Sequence, residues 1–128
     1  MRIMFLDDSV ARTNLFKQRS FGHSVKFADN ARTAKIWLDQ HDFDIIFLDH
    51  DLGEEFEGLE CPEGTNEDGR TVSRYIVGLG DKHKEATIVI HSLNNWAAQE
   101  MYQILKNSGF EKVLVIPWAW KTYSLQEG

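Results

Sequence analysis

Residues 43–53 read F-D-I-I-F-L-D-H-D-L-G. Ile45, Ile46, Phe47 and Leu48 form an unbroken apolar run, the pattern of a strand buried on both faces of a parallel sheet. Asp49, His50 and Asp51 follow with no apolar residue between them. The strand therefore delivers two carboxylates and an imidazole at its carboxyl end. In an open α/β sheet that is the end where ligands bind.

The same pattern recurs along the chain. Ile3 to Leu6 is an apolar run ended by Asp7 and Asp8, and Thr87 to Ile90 is another, ended by His91, Ser92, Leu93 and Asn94. Val113 to Ile116 is stopped by Pro117, and Val25 and Phe27 flank Lys26 as a short strand at or near a sheet edge. Helical patterns fill the intervals. Ser9 is a candidate N-cap for a helix in which Val10, Asn14 and Lys17 step along successive turns, closed by Phe21-Gly22. Asn30 caps a second, with Ala34, Trp37 and Leu38 on one face. Asp68-Gly69 starts a third, whose stripe is Val72, Tyr75, Ile76 and Leu79. Asn95 opens a fourth with Ala98, Met101, Tyr102 and Leu105, terminated at Ser108-Gly109. Strands alternating with helices predict an α/β fold with a parallel sheet covered on both sides, a three-layer sandwich. In the flavodoxin-like strand order 2-1-3-4-5 the ends of the first, third and fourth strands meet in one crevice.

The chain has 128 residues, the size of one domain spanning 1–128. Its formal charge of -6 argues against duplex DNA, which needs clustered Lys and Arg, but permits a small phosphorylated ligand if a metal ion supplies positive charge. Cys61 is the single cysteine, so no intrachain disulfide forms and a reducing, cytoplasmic setting is expected. Asp7 and Asp8 interrupt the opening apolar run too early for a secretory segment, and no stretch approaches the roughly 20 apolar residues of a membrane span. Residues 53–68 carry seven acids with no Lys or Arg, which reads either as a lid over the strand end or as a solvated excursion. Residues 117–128 form a short tail. Trp118 and Trp120 alternate in it, so one covers the sheet while the other is left to meet a protein partner, with Trp96 as a further contact candidate.

Asp7, Asp8, Asp49 and Asp51 repel one another if brought together, and a divalent cation neutralises them. Oxygen donors suit Mg, Mn or Ca, and recruitment of His50 or His91 moves the preference toward Mn, Fe or Zn. Ser92 and Asn94, before the fourth helix, offer donors to a phosphate oxygen. Asp8 serves equally well as a helix cap, and Asn94 or Asn95 caps the fourth helix in any case. His23, His41 and His83 read as structural.

These residues resemble a receiver domain of the bacterial response regulators: F-L-D-D after the first strand, Asp49 after the third, Ser92 after the fourth and Asp68-Gly69 opening the third helix. The resemblance implies a metal-binding acidic pair, a phospho-accepting aspartate and a hydroxyl that contacts the phosphoryl group, with the acidic loop as an insertion. A receiver also has a lysine before the proline that ends the fifth strand. Here Ile116 precedes Pro117, and Lys112 lies at the other end of that strand. The chain is more closely similar to the cyclic-phosphate-processing receiver domains, through Phe5 to Asp8, L-D-H-D-L-G at Leu48 to Gly53, I-H-S-L-N at Ile90 to Asn94 and A-x-x-M at Ala98 to Met101.

That resemblance implies action on cyclic phosphates of nucleotides, RNA ends or NAD-derived products. The expectation is a metal-dependent phosphoesterase. Asp7, Asp8, Asp49 and Asp51 hold Mg or Mn, His50 or His91 moves protons, and Ser92 and Asn94 steady the phosphate. A second mechanism makes Asp49 the nucleophile. The rival is a non-catalytic receiver-like module that binds a partner.

Overall fold

Alternation along each strand decides which side chains meet which layer of helices. In the computed structural model, which describes residues 1–51 and 68–125, five parallel strands form one sheet: β1 (Arg2–Leu6), β2 (Ser24–Ala28), β3 (Ile45–Leu48), β4 (Thr87–Ile90) and β5 (Val113–Val115). Their order is β2-β1-β3-β4-β5. Ile3, Phe5, Ile45, Phe47 and Val89 face one side, where they pack with Phe16, Ala119 and Trp120 of α1 (Val10–Arg19) and α5 (Ala119–Thr122). Met4, Leu6, Ile46, Leu48, Ile88 and Ile90 face the other. There they meet α2 (Ala31–Gln40), α3 (Gly69–Gly78) and α4 (Asn95–Asn107) through Leu38, Ile76, Met101 and Leu105. Each fully buried Ile, Leu or Phe contributes about 1.5–3 kcal/mol, which is why four-residue strands suffice.

The helix starts follow the sequence. Ser9, Asn30, Asp68 and Asn94 are the N-caps, each accepting from a backbone N–H of its own first turn. The face that α1 buries is set by Phe16. Val10 is 74% exposed, and Phe16 is the residue that α1 buries, stacked on Phe5 with ring centroids 4.1 Å apart. Val10, Asn14 and Lys17 share another face, which lines a cavity beside the end of β2.

In the tail, α5 turns Trp120 into the core at 9% exposure and leaves Trp118 at 48%. Arg19 fastens this turn by donating to the carbonyls of Trp120 and Tyr123. Trp120 is therefore committed to packing, and Trp118 and Trp96 are the exposed members of the expected contact set. The acidic loop lies outside the described residues except for Asp68. No helix among the described residues is long and apolar enough to cross a membrane.

Candidate functional site

Register carries the side-chain alternation across strands to the carboxyl end of the sheet. Leu6 pairs with Ala28 on one side and Leu48 on the other, and Leu48 pairs with Ile90. The next residues are Asp29, Asp7, Asp49 and His91. The ladder continues into this row, since Asp7 N donates to Ala28 O, Asp49 N to Leu6 O and His91 N to Leu48 O. All four continue the positions that face α1. Asp7, Asp49 and His91 are buried there and Asp29 is exposed at the edge.

One oxygen from each of Asp7, Asp8 and Asp49 lies within 4.8 Å of the other two, an all-oxygen donor set that fits Mg, Mn or Ca. Desolvation, with the negative charge of Asp7 next, pushes Asp49 up to about 8 against the pull of Arg12. That shift marks a surplus of negative charge in a dry site, which a divalent cation would neutralise.

The cation held there is Arg12, from the first turn of α1. Its Nε donates to Asp7 Oδ2 at 2.8 Å, and Nη2 donates to Asp7 Oδ1 at 2.9 Å and to Asp49 Oδ2 at 3.4 Å. Sequence reading missed Arg12 because an arginine three residues after an N-cap looks like an ordinary surface position. The available signal was its place one turn past the Asp7-Asp8 pair.

The structure separates the two candidate histidines. His91 has no exposed side-chain surface, and its Nε2 lies 3.2 Å from the Leu6 carbonyl. Burial pushes it down to about 4 despite the attraction of Asp7, so it is neutral near pH 7. Its Nδ1, 3.8 Å from Asp7 Oδ2, is then a packing neighbour of the carboxylate rather than an ion-pair partner. His50 leaves the chain on the α3 side. Its Nδ1 lies 2.7 Å from Asp51 Oδ1 and its Nε2 3.2 Å from Asp68 Oδ2.

Asp51 is thus exposed and engaged with His50, outside the cluster of three acids. Desolvation works against Asp68, but hydrogen bonds from Arg70 hold its carboxyl below the usual range, so it faces His50 as a carboxylate. The start of α3 is pressed onto this corner. Gly69 N donates to His50 O at 3.0 Å, and a Cβ on Gly69 would lie 2.2 Å from the Asp49 carbonyl oxygen. Only glycine fits there.

Ser92 and Asn94 organise the start of α4. Ser92 Oγ accepts from Asn94 N and Asn94 Oδ1 from Ala97 N, each at 3.1 Å. The buried Ser92 hydroxyl keeps its proton to donate, and the exposed Asn94 keeps its amide N–H groups.

A parallel sheet of order 2-1-3-4-5 with an acidic row at its strand ends defines a receiver-like domain of the flavodoxin-like class. Residues 2–107 match the family described as the cyclic-phosphate processing receiver domain, and the chain belongs to that family. Solved structures of similar fold include a CheY-like response regulator receiver domain protein from Methanospirillum hungatei JF-1, at 19% identity and TM-score 0.60, covering 91% of this chain and 81% of that one. A second is a response regulator from Burkholderia pseudomallei with a phosphorylated aspartic acid, calcium ion and citrate, at 19% identity and TM-score 0.61, covering 91% of this chain and 59% of that one. A third is the Mn(2+)-bound form of response regulator Rcp1, at 18% identity and TM-score 0.60, covering 97% and 83%. A search among curated proteins found no match.

Proposed function

We propose that the protein is a metal-dependent phosphoesterase that opens a cyclic phosphate of a nucleotide, an RNA end or an NAD-derived product. The observation that carries this is the meeting of Asp7, Asp8 and Asp49 at the strand ends, where desolvation raises the buried Asp49 to about 8. Strongly perturbed carboxylates at a strand-end crevice point to function more often than to structure. The Mn(2+)-bound form of Rcp1 and the calcium ion with the Burkholderia regulator support the reading, since proteins of this fold are found with divalent ions.

Asp7, Asp8 and Asp49 would hold the ion, which when bound supplies a Lewis acid for a phosphate oxygen and lowers the pKa of water. Arg12 balances their charge in its absence and lies close enough to meet a phosphate oxygen once released from Asp7. His50 is oriented by Asp68 at Nε2, and the exposed Asp51 can swing away from Nδ1 to leave a nitrogen for the proton of an attacking water. Ser92 and Asn94 donate to phosphate oxygens as charge builds. His91 backs Asp7 and exchanges no proton with solvent.

Ile116 stands in place of the receiver lysine, which weakens the phospho-switch alternative in which Asp49 is stably phosphorylated. The test is turnover of a panel of cyclic phosphates with Mg or Mn by the wild type, Asp49→Asn and His50→Ala. Loss in both variants is expected. Turnover untouched by either substitution, or none by the wild type, overturns the reading.

A further inference from the structure

We propose that the cavity between α1 and the end of β2 holds the nucleoside of a ribonucleoside 3′,5′-cyclic phosphate, with Asp29 accepting from its 2′-hydroxyl; this rests on the phosphoesterase reading of the adjoining acid cluster. The cavity measures about 320 Å³ and opens directly on Asp7 and Asp8. That is the lower end of the roughly 300–1,000 Å³ of small-molecule sites, room for one nucleoside rather than a longer chain.

Its walls are mixed. Val10 and Phe27 supply apolar surface for a base, and Asn14 supplies an amide that both donates and accepts. The 74% exposure of Val10, unexplained by any packing role, is accounted for if a base covers it. Lys17 Nζ, 5.2 Å from the centre of the Phe27 ring, sets a cation at the far wall against the carboxylates of Asp7, Asp8 and Asp29.

Asp29 supplies the selectivity. It stands next to Asp7 in the strand-end row, one strand spacing of about 4.8 Å away. Its Oδ1 accepts from Asn30 Nδ2 at 2.6 Å, which steadies the carboxylate at the cavity wall. An ionised carboxylate only accepts, so its partner on a sugar is a hydroxyl. In dinucleotide-binding α/β sheets an acid about 20 residues past the first strand-to-helix turn binds the ribose 2′-hydroxyl, and Asp29, just after β2, stands at the comparable distance from the turn after Leu6.

With the phosphate on the ion that Asp7, Asp8 and Asp49 would hold, a hydroxyl within one strand spacing of Asp7 is the one adjacent to the esterified oxygen. A 3′,5′-cyclic nucleotide has this hydroxyl free; a 2′,3′-cyclic end has it esterified. Water attacks phosphorus from the α3 side, giving its proton to His50, as the P–O3′ bond breaks, and the 3′-alkoxide departs on the α1 side and takes a proton from solvent in the open cavity.

The experiment compares adenosine 3′,5′-cyclic phosphate with its 2′-deoxy counterpart, using wild type and Asp29→Ala with Mg. The wild type should show a KM about tenfold or more lower for the ribonucleotide, and Asp29→Ala should erase that preference by raising KM for the ribonucleotide alone. Turnover in which Asp29→Ala affects both substrates equally, or neither, overturns the subsite and leaves the phosphoesterase standing. If neither substrate is turned over, amide NMR shifts on titrating adenosine 3′,5′-cyclic phosphate with Mg decide the subsite separately. Shifts at residues 10–17 and 27–33 that Asp29→Ala removes support it, and their absence refutes it.

Discussion

Replacing Arg12 with alanine removes the cation that lies across the acid cluster. Asp7 loses two hydrogen bonds, of 2.8 and 2.9 Å, and Asp49 loses the one at 3.4 Å. Both carboxylates are almost wholly buried, whereas the Arg12 side chain is 27% exposed. Removing one partner of a buried ion pair costs about 3–5 kcal/mol. Solvent screening at the exposed part of Arg12 lowers that to about 2–3 kcal/mol for this site. For a chain of 128 residues this corresponds to a Tm lower by roughly 10 °C in metal-free buffer.

Arg12 also occupies carboxylate oxygens that the same cluster offers to a divalent ion, so its removal should tighten metal binding. A tenfold lower Kd adds about 1.4 kcal/mol to the stabilisation at saturating Mg. Urea unfolding of both proteins with and without Mg measures both quantities. A variant as stable as the wild type without metal, or one that gains no more from Mg, refutes the assignment of Arg12 as the internal counter-ion.

In the metal-free protein, Asp49 binds its proton more tightly folded than unfolded, so its contribution to stability falls as pH rises from about 4 to about 8. His91, held down at about 4, acts oppositely and adds stability as pH rises to about 6.5. The two offset below pH 6.5, leaving a decline of about 2 kcal/mol between roughly pH 6.5 and 8. Urea midpoints across that range should show it, and should lose it in Asp49→Asn or with Mg; a flat wild-type profile contradicts the shift. Gly69→Ala drives a Cβ to 2.2 Å from the Asp49 carbonyl oxygen and should destabilise by about 3 kcal/mol or more by the same assay. His50→Ala should leave Mg affinity within about twofold while abolishing turnover, since the ring lies outside the carboxylate set; weaker Mg binding measured by calorimetry would place His50 among the ligands.

The architecture was legible because its strands are short apolar runs that stop in acid, and because Ser9, Asn30, Asp68 and Asn94 or Asn95 mark helix starts by capping chemistry. Asp7, Asp8 and Asp49 were legible as a group for the same reason. Asp51 belonged with them only on the assumption that alternation outlasts the strand. The chain instead turns toward α3, and Asp51 meets His50. His91 was legible as a site neighbour but not as a buried one, since its burial depends on Phe5 and Phe47 beside it. Arg12 and the cavity by Asp29 depend on how α1 lies against the sheet, which Phe16 sets, and no local pattern reports that tilt. Trp118 and Trp120 alternate in sequence, and the turn of α5 decided which one the core took.

The central claim is metal-dependent opening of a cyclic phosphate at Asp49. It is tested most directly by ³¹P NMR of a nucleoside cyclic phosphate incubated with the protein and Mg or Mn. The cyclic diester signal should convert to a monoester signal, and the conversion should stop on chelating the metal and in Asp49→Asn. A diester signal unchanged by the wild type, or a monoester formed equally by Asp49→Asn, would contradict it.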